Sequence, residues 1–79
     1  MTVLHLTRTD VSRNMARYYR LDVQPDLFGG WCLWREWGRM GHSGTVRLDP
    51  YPDQGAAEAA RARLAEAKAK RGYVAGLRR

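Results

Sequence analysis

Hydrophobic and polar positions alternate with a period of two through most of the first fifty residues, then change to a three-four spacing after Asp53. That change predicts a run of strands followed by one helix. Residues 2–8 are rich in β-branched and apolar types and predict a first strand, with Leu4 and Leu6 facing one way and Val3, His5 and Thr7 the other. A polar loop over 9–14 ends at Asn14, a turn-forming residue. Residues 17–24 alternate cleanly, with Tyr19, Leu21 and Val23 on one face and Tyr18, Arg20 and Asp22 on the other. Pro25-Asp26-Leu27-Phe28-Gly29-Gly30 has the turn chemistry of a hairpin loop and carries two exposed-looking apolar residues, Leu27 and Phe28.

The stretch from Gly30 to Gly44 holds all three tryptophans and is the hardest to assign. Trp31, Trp34 and Trp37 are spaced like one side of a helix, but seven residues between Gly30 and Gly38 are too few for a stable one, so length selects a strand. As a strand it puts Trp31, Leu33, Arg35 and Trp37 on one face and Cys32, Trp34 and Glu36 on the other. Both faces are aromatic, and periodicity leaves open which of them the core takes. Gly41 to Gly44 form a tight connection into a fourth strand, residues 45–49, with Val46 and Leu48 inward and Thr45, Arg47 and Asp49 outward. Pro50 and Pro52 are expected to stop the sheet.

From Asp53, a good N-cap, a helix is expected to about Arg71 on the stripe Ala57, Ala60, Leu64 and Ala67. Glu58 with Arg61 and Glu66 with Lys70 are spaced to pair on its wet face. Gly72 is placed to end the helix in a left-handed cap, and Tyr73, Val74 and Leu77 to finish the packing, with Arg78 and Arg79 as a loose tail. The expected architecture is therefore α+β: one domain over 1–79, built of a twisted antiparallel sheet of about four strands with one C-terminal helix packed across it.

The chain has 79 residues, so its core is small. Fourteen Lys and Arg against eight Asp and Glu give a net charge of +6, a balance whose default partner is nucleic acid. One cysteine, Cys32, forms no internal disulfide, and with no signal-peptide pattern or apolar run of about 20 residues the expectation is a cytoplasmic protein off the membrane. His5 and His42 are far apart, no acid pair or phosphate loop is present, and one Cys with two separated His gives no metal-ligand spacing. Neither catalysis nor a cofactor nor a small-molecule substrate is expected.

What remains is basic and aromatic. Arg20, Arg35 and Arg47 come from three neighbouring strands, and they share a face with Trp37 if the odd-numbered side of the tryptophan strand is open; Arg39 then stands at its rim. Arginine neutralises phosphates and an aromatic plate stacks on an exposed base or sugar. The competing reading makes the tryptophans core and the arginines solvated.

The motif Asn14-x-x-x-Tyr18-Tyr19-x-Leu21-x-Val23, then Trp34-Arg35-Glu36-Trp37-Gly38-Arg39-Met40-Gly41-x-x-Gly44, then an alanine-rich helix ending Lys70-Arg71-Gly72-Tyr73, resembles the WGR domain over about residues 3–74. That domain occurs in DNA-dependent poly(ADP-ribose) polymerases and in small bacterial proteins. The resemblance implies a compact antiparallel sheet crossed by one helix and binding to DNA near a strand break. It assigns Trp37 as a plate on the sugar of a terminal nucleotide, Arg39 as the motif arginine, and Asn14 and Arg35 as phosphate contacts. No catalytic domain is expected with this stretch, so the resemblance does not imply the transferase activity of the polymerases. An acid at Asp22 would repel a phosphate if it shared the binding face. The expectation is a non-enzymatic module for DNA ends or nicks using Asn14, Arg20, Arg35, Trp37, Arg39 and Arg47, the alternative being a protein partner docked through Leu27, Phe28 and the tryptophan region.

Overall fold

The computed structural model describes residues 3–76; Met1, Thr2, Leu77, Arg78 and Arg79 lie outside the described residues. Strands β1 (Leu4–Asp10), β2 (Met15–Pro25), β3 (Trp31–Arg39) and β4 (Thr45–Tyr51) precede helix α1 (Gln54–Lys70), and a short strand β5 (Val74–Gly76) follows it. They form one antiparallel sheet in the order β4-β3-β2-β1-β5. The first four strands make a meander. β5 returns from the helix to the free edge of β1, so the sheet has five strands where the sequence predicts about four; three residues are too few to carry an alternating pattern.

The connections follow their side chains. Asp10 caps a single 3₁₀ turn, Val11–Arg13, by accepting from the Ser12 backbone N–H at 3.1 Å, and Asn14 closes it in the left-handed region at φ 51°. Asn tolerates that conformation better than most L residues. In the β2–β3 hairpin, Asp26 accepts from the backbone N–H groups of Phe28 and Gly30 at 2.8 and 2.9 Å. Leu27 and Phe28 are left at the tip, 95% and 93% exposed. Pro50 lies inside β4, not beyond it, because β4 is an edge strand whose outer N–H row needs no partner.

Helix α1 starts where Asp53 accepts from the Ala56 N–H at 2.8 Å. It ends in a Schellman arrangement: Gly72 at φ 97° donates to the Ala69 carbonyl, and Tyr73 to that of Lys68. The Glu58–Arg61 and Glu66–Lys70 pairs both form, at 2.6 and 3.6 Å. Ala57 and Ala60 are buried and Leu64 and Ala65 pack beside them, but Ala67 is exposed, so the stripe turns away from the sheet one turn early.

The helix lies over β2, β3 and β4 and selects one face of the sheet. Leu6, Tyr19, Leu21, Val23 and Leu33 form the core with Ala57 and Ala60, and Trp31, Trp37, Tyr51 and Tyr73 pack at its margin. The odd-numbered face of β3 is thus the covered one. Register then inverts the expectation for β4: Tyr51 opposes Trp31 and Asp49 opposes Leu33, so the odd residues of β4 face the helix side. Val46 and Leu48 point the other way and are 53% and 58% exposed. Val74 is also exposed, whereas Tyr73 packs edge-on against Tyr19.

On the uncovered face, Tyr18 is buried without any helix above it. It stands directly opposite Gly38, and the Gly44 backbone crosses the same place: a Cβ on Gly38 would lie 3.0 Å from the Gly44 Cα and 3.4 Å from the Tyr18 ring. A Cβ on Gly44 would run into the Tyr18 hydroxyl and, at 2.6 Å, the Trp37 carbonyl oxygen. An aromatic ring over a strand glycine restores the packing that the glycine forgoes. Replacing Gly44 by Ala should therefore destabilise the fold by about 1–3 kcal/mol, as overpacking does, read as a drop in the urea midpoint at unchanged slope. Gly41→Ala, whose added methyl meets nothing within 4 Å, pays only the strain of φ 82° and serves as the milder comparison.

Candidate nucleic-acid interface

Trp37 sits at the margin of the core, half-buried. It opposes Tyr19 across β2 and β3, and the rings stack with centroids 5.5 Å apart and planes at 12°. Tyr73, returned by the helix cap, meets Tyr19 edge-on at 6.4 Å. Lys68 from the last helical turn lies 4.5 Å from the Tyr19 ring centre and 5.7 Å from that of Tyr73. Burial lowers the Lys68 pKa, helped by the cations Arg71 and Arg35. An ammonium held on aromatic faces among other cations is a favourable neighbour for an anion.

Arg35 projects from the same face as Trp37. Its Cζ is 5.3 Å from the Trp37 ring centre; Nε and Nη2 donate to the Tyr19 hydroxyl at 3.1 and 2.8 Å, and Nη1 donates to Asp49 at 3.0 Å. Asp49 accepts in turn from Arg47 Nε at 2.7 Å. Burial alone would raise the Asp49 carboxyl, but hydrogen bonds from Arg35 and Arg47 outweigh it and hold it below the ordinary carboxylate value. Arg35 is accordingly a half-buried guanidinium already hydrogen-bonded to two neighbours and seated over the Trp37 ring.

The structure divides the six sequence-predicted residues. Arg35, Trp37 and Arg47 share the helix-bearing face, and Arg39 continues it at the end of β3. Asn14 and Arg39, together with Arg17, line one shallow depression of about 140 Å³ between the β1–β2 turn and the end of β3. Arg20 is not with them. It projects from the opposite face, where it lies 5.5 Å from the Tyr18 ring centre and 3.5 Å from Glu36. Asp22 is on that opposite face too, 6% exposed, so it does not oppose a phosphate at Trp37.

Sequence reading did not single out Tyr19, Lys68 or Tyr73 for the site. Lys68 reads as a helix-end cation and Tyr73 as a packing residue; the five-residue interval across the Gly72 cap is the signal that the two meet. Among the described residues no three His, Cys, Asp or Glu side chains gather where a metal ion could be held, and no helix is long and apolar enough to cross a membrane.

A single antiparallel sheet with one helix, one open face and a basic aromatic shoulder defines a small α+β domain. The chain belongs to the WGR domain family, whose model matches residues 2–78. It is similar to an uncharacterised protein of Sinorhizobium fredii, y4dW, with 43% identity over 70 residues, covering 89% of this chain and 34% of that protein. The chain thus spans about a third of the length of that relative. No solved structure matches it.

The Arg35–Asp49–Arg47 network sets a pH dependence. Because the folded Asp49 pKa lies below its unfolded value near 3.8, its contribution to stability is complete above that value and is lost as pH falls through the folded pKa. Stability of Asp49→Asn should therefore decline less steeply than wild type between pH 5 and pH 2, measured by urea denaturation at fixed ionic strength. Equal slopes would mean that the network does not discriminate the ionised carboxylate.

Proposed function

We propose that this chain is a non-enzymatic nucleic-acid-binding module that engages DNA ends or nicks through the shoulder formed by Trp37, Arg35, Lys68 and Arg39. WGR domains are associated with nucleic-acid binding in proteins of the poly(ADP-ribose) polymerase type, and this family membership supports the general class. The observation that carries the reading is the position of Trp37: half-buried, backed by the Tyr19 ring, and flanked by Arg35 and by Lys68 one ring away. A tryptophan so fixed keeps a rigid edge toward solvent where a terminal sugar or base, no longer covered by a neighbouring base pair, is able to pack. The cations beside it suit the phosphates that accompany that sugar. A continuous duplex offers the charge without the exposed nucleotide face, so a preference for ends and nicks follows from the same geometry.

A second reading, docking onto a protein partner, is favoured by the near-complete exposure of Leu27 and Phe28. Those residues lie at the opposite end of β2 and β3 from Asn14 and Arg39, so the two readings separate cleanly by mutation.

Binding to a nicked, 5′-phosphorylated duplex should show log affinity falling with log salt at about −0.9 per phosphate contacted, near −3.6 for four contacts. Trp37→Ala should weaken binding by roughly 5- to 150-fold, the worth of about 1–3 kcal/mol for one stacked ring, and Arg39→Ala should flatten the salt slope. Circular dichroism checks that Trp37→Ala stays folded, and Trp37→Phe should retain most of the affinity. Leu27→Ser/Phe28→Ser should leave it unchanged. No binding at low salt would overturn the nucleic-acid reading; equal affinity for nicked and unbroken circular duplex would overturn the end preference.

A further inference from the structure

The register of the sheet aligns three arginines that are far apart in sequence. Arg8 of β1 opposes Arg17 of β2, and Arg17 opposes Arg39 of β3. Directly opposed residues of antiparallel strands project from the same face with Cα atoms about 4.5–5.5 Å apart. The row Arg8-Arg17-Arg39 is the next same-face row after Leu6-Tyr19-Trp37, so it lies immediately beyond the aromatic shoulder. The cap of α1 reaches the Arg8 end of the row: a Cβ built on Gly72, just past the helix, would lie 3.5 Å from Nε of Arg8. Arg17 and Arg39 are exposed and Arg8 is half-buried.

Like charges set directly opposite one another in a sheet repel, and elsewhere in this sheet such repulsion is neutralised. Arg20 has Glu36, and Arg35 and Arg47 share Asp49. Among the described residues no carboxylate lies within ion-pairing distance of Arg8, Arg17 or Arg39. The closest in sequence, Asp10, is committed to the Ser12 N–H, the Ser12 hydroxyl and Arg13. Asp10 feels the charge of Arg8 without pairing with it, and three guanidinium groups in one row without an ion-pair partner are a cost to the free protein that an anion along the row relieves. The outer two strands of the row are about 10 Å apart at ordinary sheet spacing. That is a length over which one nucleic-acid strand presents a few successive phosphates.

We propose that Arg8, Arg17 and Arg39 form a phosphodiester track, on which one strand of a nucleic acid crosses β1, β2 and β3 at a steep angle to their direction. The proposal rests on the nucleic-acid reading above and adds to it two contact residues, Arg8 and Arg17, and the direction in which the bound strand runs. Trp37, in the adjoining row, then meets the nucleotide next to the track, and the depression at Asn14 borders it.

The test varies Arg8 and Arg17 and leaves Arg39, which belongs to both sites, intact. Titrations of Arg8→Gln, Arg17→Gln, Arg17→Lys and the opposite-face control Arg20→Gln use nicked, 5′-phosphorylated duplex from 50 mM to 0.5 M salt. Each Gln substitution in the row should flatten the log–log salt slope by about 0.9 and weaken binding roughly five- to tenfold at 0.1 M salt. Arg17→Lys should keep the wild-type slope and Arg20→Gln should not alter it. In parallel, Arg17→Gln should raise Tm by about 2 °C or more at 10 mM salt, where self-repulsion is least screened, with the gain vanishing at 1 M. Wild-type slopes in both Gln variants, or an equal loss in Arg20→Gln, would overturn the track and leave the Trp37 shoulder standing. Failure of the wild-type protein to bind at low salt would overturn both.

Discussion

The register between β2 and β3 is the constraint on which the rest of the molecule depends. It pairs Tyr18 with Gly38 and Tyr19 with Trp37, so two consecutive tyrosines anchor the two faces of the sheet at one point. Tyr18 lies over Gly38 and against Gly44, with its hydroxyl donating to Glu36 at 2.9 Å; Tyr19 backs Trp37 under the helix end. A one-residue slip would exchange every side chain between the faces. It would put Tyr18 or Arg20 in the place of Tyr19 opposite Trp37, and would bring a side chain against the Gly44 backbone. The helix is narrow and alanine-rich, so the sheet supplies the bulk, and the two fit only in this register.

The same constraint explains which parts of the fold were legible from the pattern of residues. β2 is paired on both edges and covered on one face, so its alternation reports its environment directly, and the helix announces itself by Asp53 and Gly72. β4 does not behave so. Its apolar residues Val46 and Leu48 look inward by composition, yet β3 dictates that Asp49 and Tyr51 take the covered side, because Leu33 and Trp31 are already there. An edge strand that a small helix covers only in part gains little from burying its own apolar pair, and the Arg35–Asp49 hydrogen bond fills the shoulder instead. Which tryptophan belongs to the core could not be read at all, since their spacing of three places them on alternate faces of a strand. β5 is set by the return of the chain after the helix cap, not by the three residues that compose it.

The candidate site was legible in its residue types but not in its grouping. Pairing of charges depends on register, and sequence gives no register. Arg20, Arg35 and Arg47 look equivalent along the chain, yet one is on the far face with Glu36 and two are bound to one carboxylate. Arg8 and Arg17 look like ordinary strand residues until the pairing aligns them with Arg39. The net positive charge is therefore unevenly distributed: most of the central sheet is internally compensated, while the end of the helix-bearing face, with Lys68 beside its tyrosines, retains its charge.

The Trp-Gly-Arg tripeptide is best understood as three jobs forced into adjacent positions by the pleat. Trp37 points to the helix-bearing face, where it closes the core margin and leaves an edge in solvent. Gly38 turns to the other face, where any side chain would displace Gly44 or Tyr18 and with them the turn that follows β3. Arg39 returns to the first face one row further out, past the helix, beside Arg17. Moving the arginine by one residue would carry it to the Tyr18 side; moving the glycine would break the crossing that fixes the strand end. Trp37 and Arg39 hold a constant spacing because Gly38 fixes the backbone between them. In this fold, then, the packing requirement of the open face is what keeps the two outward-reaching side chains of the other face in line.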